Sequence, residues 1–177
     1  MNLGSMKAYH QASPYRIFVL EDDLELGALI EHVLRSIDSR VHLDWATNAD
    51  WAMAELNRAM VDGTSFPYDL IVADIFLEGK TTGIDFWRTC QELFPDVPVL
   101  VTSALSLDRF FSTVGRQSIC PPYLQKPFTT RECKQVFESM LRFGERETRA
   151  TSGRSAWGRS KAWNLGLTTK GDFREPS

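Results

Sequence analysis

Four of five short apolar runs in this sequence end in polar side chains that could act together on a phosphoryl group. The first run is followed by Glu21-Asp22, and the third ends in Asp74. Ser103 follows the fourth run, and Lys126 closes the fifth. Carboxylates bind hard cations, whereas an ammonium and a hydroxyl donate hydrogen bonds to phosphate oxygens. These residue types indicate the electrostatic setting that phosphoryl transfer needs.

The three carboxylates predict a divalent cation between them. Carboxylates brought together repel one another, and at least one pKa rises unless a cation intervenes. Mg²⁺ suits the group because it takes oxygen ligands and is usually held by one or two carboxylates plus phosphate oxygens. Asp74 is the best-placed nucleophile, since an aspartate can carry a phosphoryl group as an acyl phosphate.

Strands and helices that could position these residues alternate five times along the chain. Apolar, β-favouring runs predict strands over 16–20, 41–46, 68–74, 97–102 and 123–126. Apolar residues at spacings of three and four predict helices over 24–37, 84–93, 107–114 and 129–143, and another that starts at Asn48 or Asp50 and ends at Val61. Asp22 or Asp23 is expected to cap the first helix, and Thr129 with Glu132 forms a capping box for the last.

This alternation predicts an α/β fold with a doubly wound, five-stranded parallel sheet. The carboxyl ends of parallel strands share one edge, where ligands bind near the point at which strand order reverses. With the order 2-1-3-4-5 the first and third strands are neighbours. Glu21, Asp22 and Asp74 are then expected to converge.

Composition excludes several classes of protein. The 177 residues carry 20 Lys plus Arg and 23 Asp plus Glu, and 43% are hydrophobic, as in ordinary globular domains. No run approaches the roughly 18 apolar residues of a membrane helix, and residues 1–16 lack the apolar region of a signal peptide. Three widely spaced cysteines fit neither a disulfide framework nor a zinc site. We therefore expect a cytoplasmic protein without membrane insertion.

The two ends of the chain differ from its body. Residues 1–15 are aperiodic and are interpreted as a flexible lead-in, in which Gly4-Ser5-Met6 is typical of a cloning remnant. Residues 144–177 hold 7 Lys or Arg against 4 Asp or Glu and are rich in Ser, Thr and Gly. This composition predicts a disordered tail. Because residues 1–143 are acidic, we do not expect them to bind nucleic acid.

Residues 16–143 resemble the receiver domain of two-component response regulators, the flavodoxin-like fold of the chemotaxis protein CheY. Four motifs carry the resemblance, and they are Glu21-Asp22, Asp74, Ser103-Ala104 and Lys126-Pro127-Phe128. The resemblance implies phosphotransfer to Asp74 from a histidine kinase or a histidine phosphotransfer protein. It also implies that the domain assists its own phosphorylation and dephosphorylation without being an enzyme with turnover.

The same resemblance assigns ligands and a switch. Asp22, Asp74 and the main-chain carbonyl of Phe76 would ligate Mg²⁺, and Glu21 would act through water. A cis peptide is implied at Lys126-Pro127. Tyr123 matches the aromatic side chain that rotates inward when Ser103 moves toward the phosphorylated aspartate. The face formed by the fourth helix, the fifth strand and the fifth helix would then change for a downstream protein partner.

Two regions depart from the family pattern. Residues 115–122, which end in Pro121-Pro122, replace the usual Gly-Ala pair before the fifth strand, and the prolines are expected to shorten or displace the fourth helix. Phe76 and Leu105 occupy the positions that flank the attacking water in this family. Because neither side chain can orient water, the phosphoryl group is expected to leave slowly.

The leading hypothesis is a stand-alone receiver that acts through protein contacts, with a homodimer among the alternatives. Residues 144–177 are too few for a helix-turn-helix domain with its own core. A second hypothesis is a non-catalytic interaction module whose tail binds a partner, in which Trp157 and Trp163 could stack on RNA. A third is an aspartate-nucleophile phosphatase, which would need a carboxylate where Phe76 stands.

Overall fold

Five strands and five helices alternate in the part of the chain that the computed structural model describes, residues 14–61, 68–77, 80–114 and 120–150. In chain order they are β1 (Arg16–Leu20), α1 (Leu24–Ile37), β2 (His42–Ala46), α2 (Ala49–Val61), β3 (Leu70–Asp74), α3 (Gly83–Leu93), β4 (Val99–Ser103), α4 (Leu107–Val114), β5 (Tyr123–Gln125) and α5 (Thr130–Ala150). The predicted lead-in lies almost wholly outside these ranges, as do the tail beyond Ala150 and the loop 115–119.

The strands form one parallel sheet in the order β2-β1-β3-β4-β5, which confirms the predicted fold class. Leu20 of β1 lies opposite Ala73 of β3, so Glu21 and Asp74 follow at the same edge. The register of β3 and β4 places Asp74 opposite Thr102. The parallel pairing therefore brings the polar ends of β1, β3 and β4 together.

Helices cover both faces of the sheet because successive strand residues point to opposite sides. Phe18 and Leu20 pack in a core with α2, α3 and α4, whereas Ile17 and Val19 pack in a second core with α1 and α5. All four side chains are at most 1% exposed. Burial of one such side chain stabilises the fold by about 1.5–3 kcal/mol. The two cores hold the strand ends rigidly from both sides.

Polar caps fix where three helices begin. The Asp23 carboxylate accepts from the N–H groups of Glu25 and Leu26, which decides between the two predicted caps of α1. Thr129 and Glu132 exchange hydrogen bonds in the predicted capping box of α5. The sequence interpretation missed the capping box of α3, in which Thr82 pairs with Asp85. Helix α3 consequently begins at Gly83, a residue assigned to the preceding loop.

The predicted length of the last helix was wrong. Helix α5 continues to Ala150 instead of ending near Phe143. The prediction ended the helix where its apolar pattern stops. The backbone continues because the residues after Gly144 include Glu and Arg, which are strong helix formers. Helix α4, by contrast, spans its predicted residues despite Pro121-Pro122. Among the described helices, none is both long enough and apolar enough to cross a membrane.

Candidate functional site

Three of the predicted residues form a buried ionic cluster at the carboxyl edge of the sheet. Glu21 follows β1, Asp74 ends β3 and Lys126 follows β5. The Lys126 Nζ atom donates to Asp74 Oδ2 at 2.7 Å and to Glu21 Oε2 and Oε1 at 2.8 and 3.1 Å. Since β4 lies between β3 and β5, the long lysine side chain spans a strand to make these contacts.

Asp22 completes a set of oxygen donors suited to a divalent cation. One carboxylate oxygen from each of Glu21, Asp22 and Asp74 lies within 4.8 Å of the others. Three carboxylates and one ammonium leave two negative charges, which a divalent cation would balance. Hard cations such as Mg²⁺ prefer such oxygen ligands, so the residues present fit the predicted ion.

Burial shapes the electrostatics of the cluster. Glu21 is 1% exposed and Asp74 is 6% exposed. Burial raises the pKa of Glu21, although the hydrogen bond and the positive charge of Lys126 oppose this shift. Burial lowers the pKa of Lys126, but its hydrogen bonds to Asp74 and Glu21 outweigh that effect and hold the pKa above 10.5. Lys126 is therefore an ammonium at neutral pH.

The backbone around Asp74 is held by the start of α3. A Cβ atom at position 83 would overlap the main-chain carbonyl oxygen of Asp74, so only glycine allows the helix to begin this close. The Gly83 N–H donates to the Ile75 carbonyl at 3.1 Å. The Phe76 N–H donates to Asp74 Oδ1 at 3.1 Å. The role of Gly83 was not predicted, because its only signal in the sequence is a glycine directly before a helix.

Ser103 and Tyr123 lie together on the face of the sheet that α4 covers. Ser103 is fully buried, and its hydroxyl oxygen accepts from the Leu105 N–H at 3.2 Å. The Tyr123 hydroxyl donates to the main-chain carbonyls of Leu105 at 2.6 Å and Ser103 at 3.1 Å. Its ring stacks on Phe110 of α4, with centroids 4.1 Å apart. The two predicted switch residues are thus already connected through the 103–105 backbone.

The remaining predicted features lie around the cluster. The Phe76 side chain is 57% exposed, while Leu105 packs partly against the α2–α4 core. The peptide bond Lys126-Pro127 is cis, as the resemblance implied. Beside Lys126 a cavity of about 380 Å³ is lined by Asp23, Leu26, Ala104, Lys126, Pro127 and Phe128.

Solved structures of several receivers share this fold. The signal receiver domain of a LuxO repressor protein from Vibrio parahaemolyticus superposes with a TM-score of 0.63 at 18% identity, covering 80% of this chain and 100% of that chain. A CheY-like receiver domain protein from Methanospirillum hungatei gives 0.58 at 20% identity, with 76% and 99% covered. The chain therefore has the CheY-like fold that these receiver domains share.

Two further comparisons match this chain to parts of longer proteins. NtrX from Brucella abortus matches with a TM-score of 0.63 at 21% identity, over 80% of this chain and 30% of NtrX. The uncharacterized transcriptional regulatory protein YbdJ from Bacillus subtilis is 28% identical over 127 residues, which are 72% of this chain and 51% of YbdJ. The chain thus spans about half the length of that curated relative. No family model matches the sequence.

Proposed function

We propose that this chain is a response regulator receiver domain, which accepts a phosphoryl group on Asp74 from a phosphohistidine of a partner protein. The observation that carries this proposal is the Lys126 ammonium, which bridges Glu21 and Asp74 inside the group of three carboxylates. An Asp74 carboxylate oxygen attacks phosphorus while the bond from phosphorus to the histidine nitrogen breaks. The histidine leaves as a neutral imidazole after taking up a proton, and Asp74 becomes an acyl phosphate.

Each residue of the cluster has a separate part in this reaction. Asp22, Asp74 and the Phe76 main-chain carbonyl would hold Mg²⁺, with Glu21 acting through water. The bound ion would neutralise phosphoryl oxygens in the transition state. Lys126 would donate to the same oxygens once it releases a carboxylate, and its raised pKa keeps it protonated.

The surface beside the cluster supports a protein as the phosphoryl donor. Leu24, at the start of α1, is 75% exposed. It lies next to Asp23, which lines the cavity near Lys126 together with Leu26 and Phe128. An apolar rim around an acidic site favours a partner that presents its phosphohistidine from a partly apolar surface. We therefore propose a histidine kinase or a histidine phosphotransfer protein as the donor.

The output would run through Ser103 and Tyr123. If the Ser103 hydroxyl turned from the Leu105 amide toward a phosphorylated Asp74, the backbone of residues 103–105 would shift. The Tyr123 hydroxyl is hydrogen-bonded to this backbone and would respond to the shift. Tyr123 stacks on Phe110, so the change reaches α4. We propose that a downstream protein binds this face in the phosphorylated state.

Acetyl phosphate with Mg²⁺ tests the phosphoacceptor directly. We expect intact mass spectrometry to detect one added phosphoryl group on the wild type and none on Asp74→Asn, which lacks the nucleophilic carboxylate. The matched control is Asp69→Asn. Asp69 directly precedes the first residue of β3, at the end of the strand away from Asp74, and accepts a hydrogen bond from the Arg16 N–H. Failure of the wild type to gain a phosphoryl group from acetyl phosphate or another small-molecule donor would contradict the proposal.

We expect the phosphoryl group to be lost slowly because Phe76 and Leu105 cannot orient an attacking water. Phe76→Asn should shorten the half-life of the phosphorylated protein by supplying a polar side chain beside Asp74. The control is Phe111→Asn, since Phe111 is 45% exposed and lies on α4. A wild-type half-life of seconds, followed by intact mass, would count against this expectation.

The other two hypotheses predict different results. A phosphatase would turn over a phosphate monoester steadily, although Phe76 stands where its second carboxylate is needed. An interaction module would lose partner binding on deletion of residues 151–177, which lie outside the described residues. Binding that survives this deletion and depends on phosphorylation favours the receiver face. A cytoplasmic location and a homodimer stay predictions.

A further inference from the structure

We propose that Trp45 is a positioning residue for the acidic pair, because its indole N–H fixes the peptide bond that joins Glu21 to Asp22. The inference rests on the proposed function, since it concerns how the metal-binding carboxylates are held. Trp45 belongs to β2, the strand next to β1, and is not one of the clustered side chains. It would therefore act on the carboxylates only through the backbone of Glu21.

The hydrogen bonds of Glu21 show how its backbone is fixed. The Trp45 Nε1 atom donates to the Glu21 main-chain carbonyl at 3.2 Å. The Glu21 N–H donates to the Ala46 carbonyl at 3.0 Å. Both backbone polar groups of Glu21 are thus bonded to the end of β2. The carbonyl belongs to the peptide that connects Glu21 to Asp22, so rotation of that peptide would break the bond to the indole.

The indole ring has a fixed position because α1 leaves room for it. A Cβ atom at Gly27 would overlap the ring atoms Cη2 and Cζ2 of Trp45. Trp45 also packs against the core that contains Val33 and Val19. The ring is thereby confined between β2 and the second turn of α1, with its nitrogen directed at the acidic pair. Gly27 is the residue that makes this close approach possible.

This arrangement matters for ligand geometry as well as for packing. Glu21 and Asp22 contribute two of the three clustered carboxylates, and both side chains extend from the fixed segment. Mg²⁺ requires nearly ideal octahedral geometry, so small rotations of the ligand backbone weaken binding. Groups that orient metal ligands typically change affinity by about 10–100-fold when they are removed. A tryptophan that only filled space would need no donor aimed at this carbonyl.

The test separates the N–H group from the ring. One variant is Trp45→Phe, and a second carries at position 45 a benzothienyl analogue of tryptophan, which keeps the ring shape but replaces N–H by sulfur. Mg²⁺ alone is the ligand, and its affinity is measured from amide shifts in ¹H–¹⁵N NMR spectra. Urea unfolding of the same samples reports stability. Trp51→Phe is the control, because Trp51 is 46% exposed on α2 and stacks near Phe18.

We expect both position-45 variants to bind Mg²⁺ about tenfold more weakly than the wild type, at the lower end of the range for ligand-orienting groups. The Trp51→Phe control should bind as the wild type does. In the wild type, the Trp45 indole N–H resonance should shift on titration with Mg²⁺. Equal Mg²⁺ affinity of the benzothienyl variant and the wild type would overturn the inference while leaving the proposed function intact. A wild type without measurable Mg²⁺ binding would overturn both.

Discussion

Replacing Gly83 with alanine is expected to lower the free energy of unfolding by about 3 kcal/mol, at the upper end of the cost of overpacking, and to abolish phosphoryl acceptance on Asp74. The added Cβ atom would overlap the Asp74 carbonyl oxygen and lie 2.7 Å from its carbonyl carbon. Both are backbone atoms of the strand that carries Asp74, the proposed nucleophile. They cannot rotate away as a side chain can, so α3 or the end of β3 must move.

Urea unfolding and intact mass after treatment with acetyl phosphate measure the two effects. Gly27→Ala is the matched control, because its new Cβ atom meets the Trp45 ring instead of backbone. Because displacement of the Trp45 ring would also weaken Mg²⁺ binding, the variants are compared at saturating Mg²⁺, where we expect the control to lose some stability and to keep Asp74 phosphorylation. A Gly83→Ala variant that is phosphorylated as fast as the wild type would show that the close approach of α3 does not position Asp74.

Replacing Lys126 with methionine is expected to lower the free energy of unfolding at pH 7 by about 3–5 kcal/mol, the usual cost of removing one partner of a buried ion pair. The side chains of Glu21 and Asp74 are 1% and 8% exposed, so their charges would lose their nearest cation without gaining water. The double variant Lys126→Met/Glu21→Gln should recover much of the loss, since it also removes one buried charge. The control is Lys134→Met, because Lys134 makes an exposed contact with the Ser36 carbonyl on α1. We expect this variant to change the free energy of unfolding little.

The effect of pH on this loss has a definite sign. The folded-state pKa of Lys126 lies above its ordinary 10.5, so its stabilising contribution is complete below that pH and is lost as the pH rises through the folded pKa. The pKa of Glu21 is also raised, so its ionisation costs stability; this cost declines as the pH falls below the folded pKa and is absent below the ordinary value of 4.5. The difference between wild type and Lys126→Met should therefore shrink at acidic and at strongly alkaline pH. Denaturation series at fixed pH values would measure it, and a difference that does not vary with pH would contradict this account.

The positions of the ionic cluster could be predicted because strand ends leave a pattern in the sequence. A buried parallel strand is a continuous apolar run, so Glu21, Asp74 and Lys126 stand out where the runs end. Their convergence followed from the strand order alone. The N-cap of α1 could be narrowed to two aspartates because only a short side chain at that place can accept from the first N–H groups.

Other parts of the site depend on contacts between distant residues, which leave no periodic pattern. Gly83 looks like a loop glycine until the helix is placed against the end of β3. Trp45 looks like an ordinary aromatic residue of a strand, and nothing local indicates that its N–H meets a carbonyl 24 residues earlier. The length of α5 escaped prediction because helix formation requires backbone hydrogen bonds and not an apolar face.

The three contacts of the Lys126 ammonium have a consequence for selectivity against inorganic phosphate. An ammonium group has three N–H donors, and carboxylate oxygens of Glu21 and Asp74 already accept from all of them. An anion that approaches must exchange with one of these carboxylates and meets two further negative charges. Under the proposed function, abundant small anions would thereby be kept from saturating the site, while a donor that docks and delivers its group beside a bound cation would make the exchange favourable.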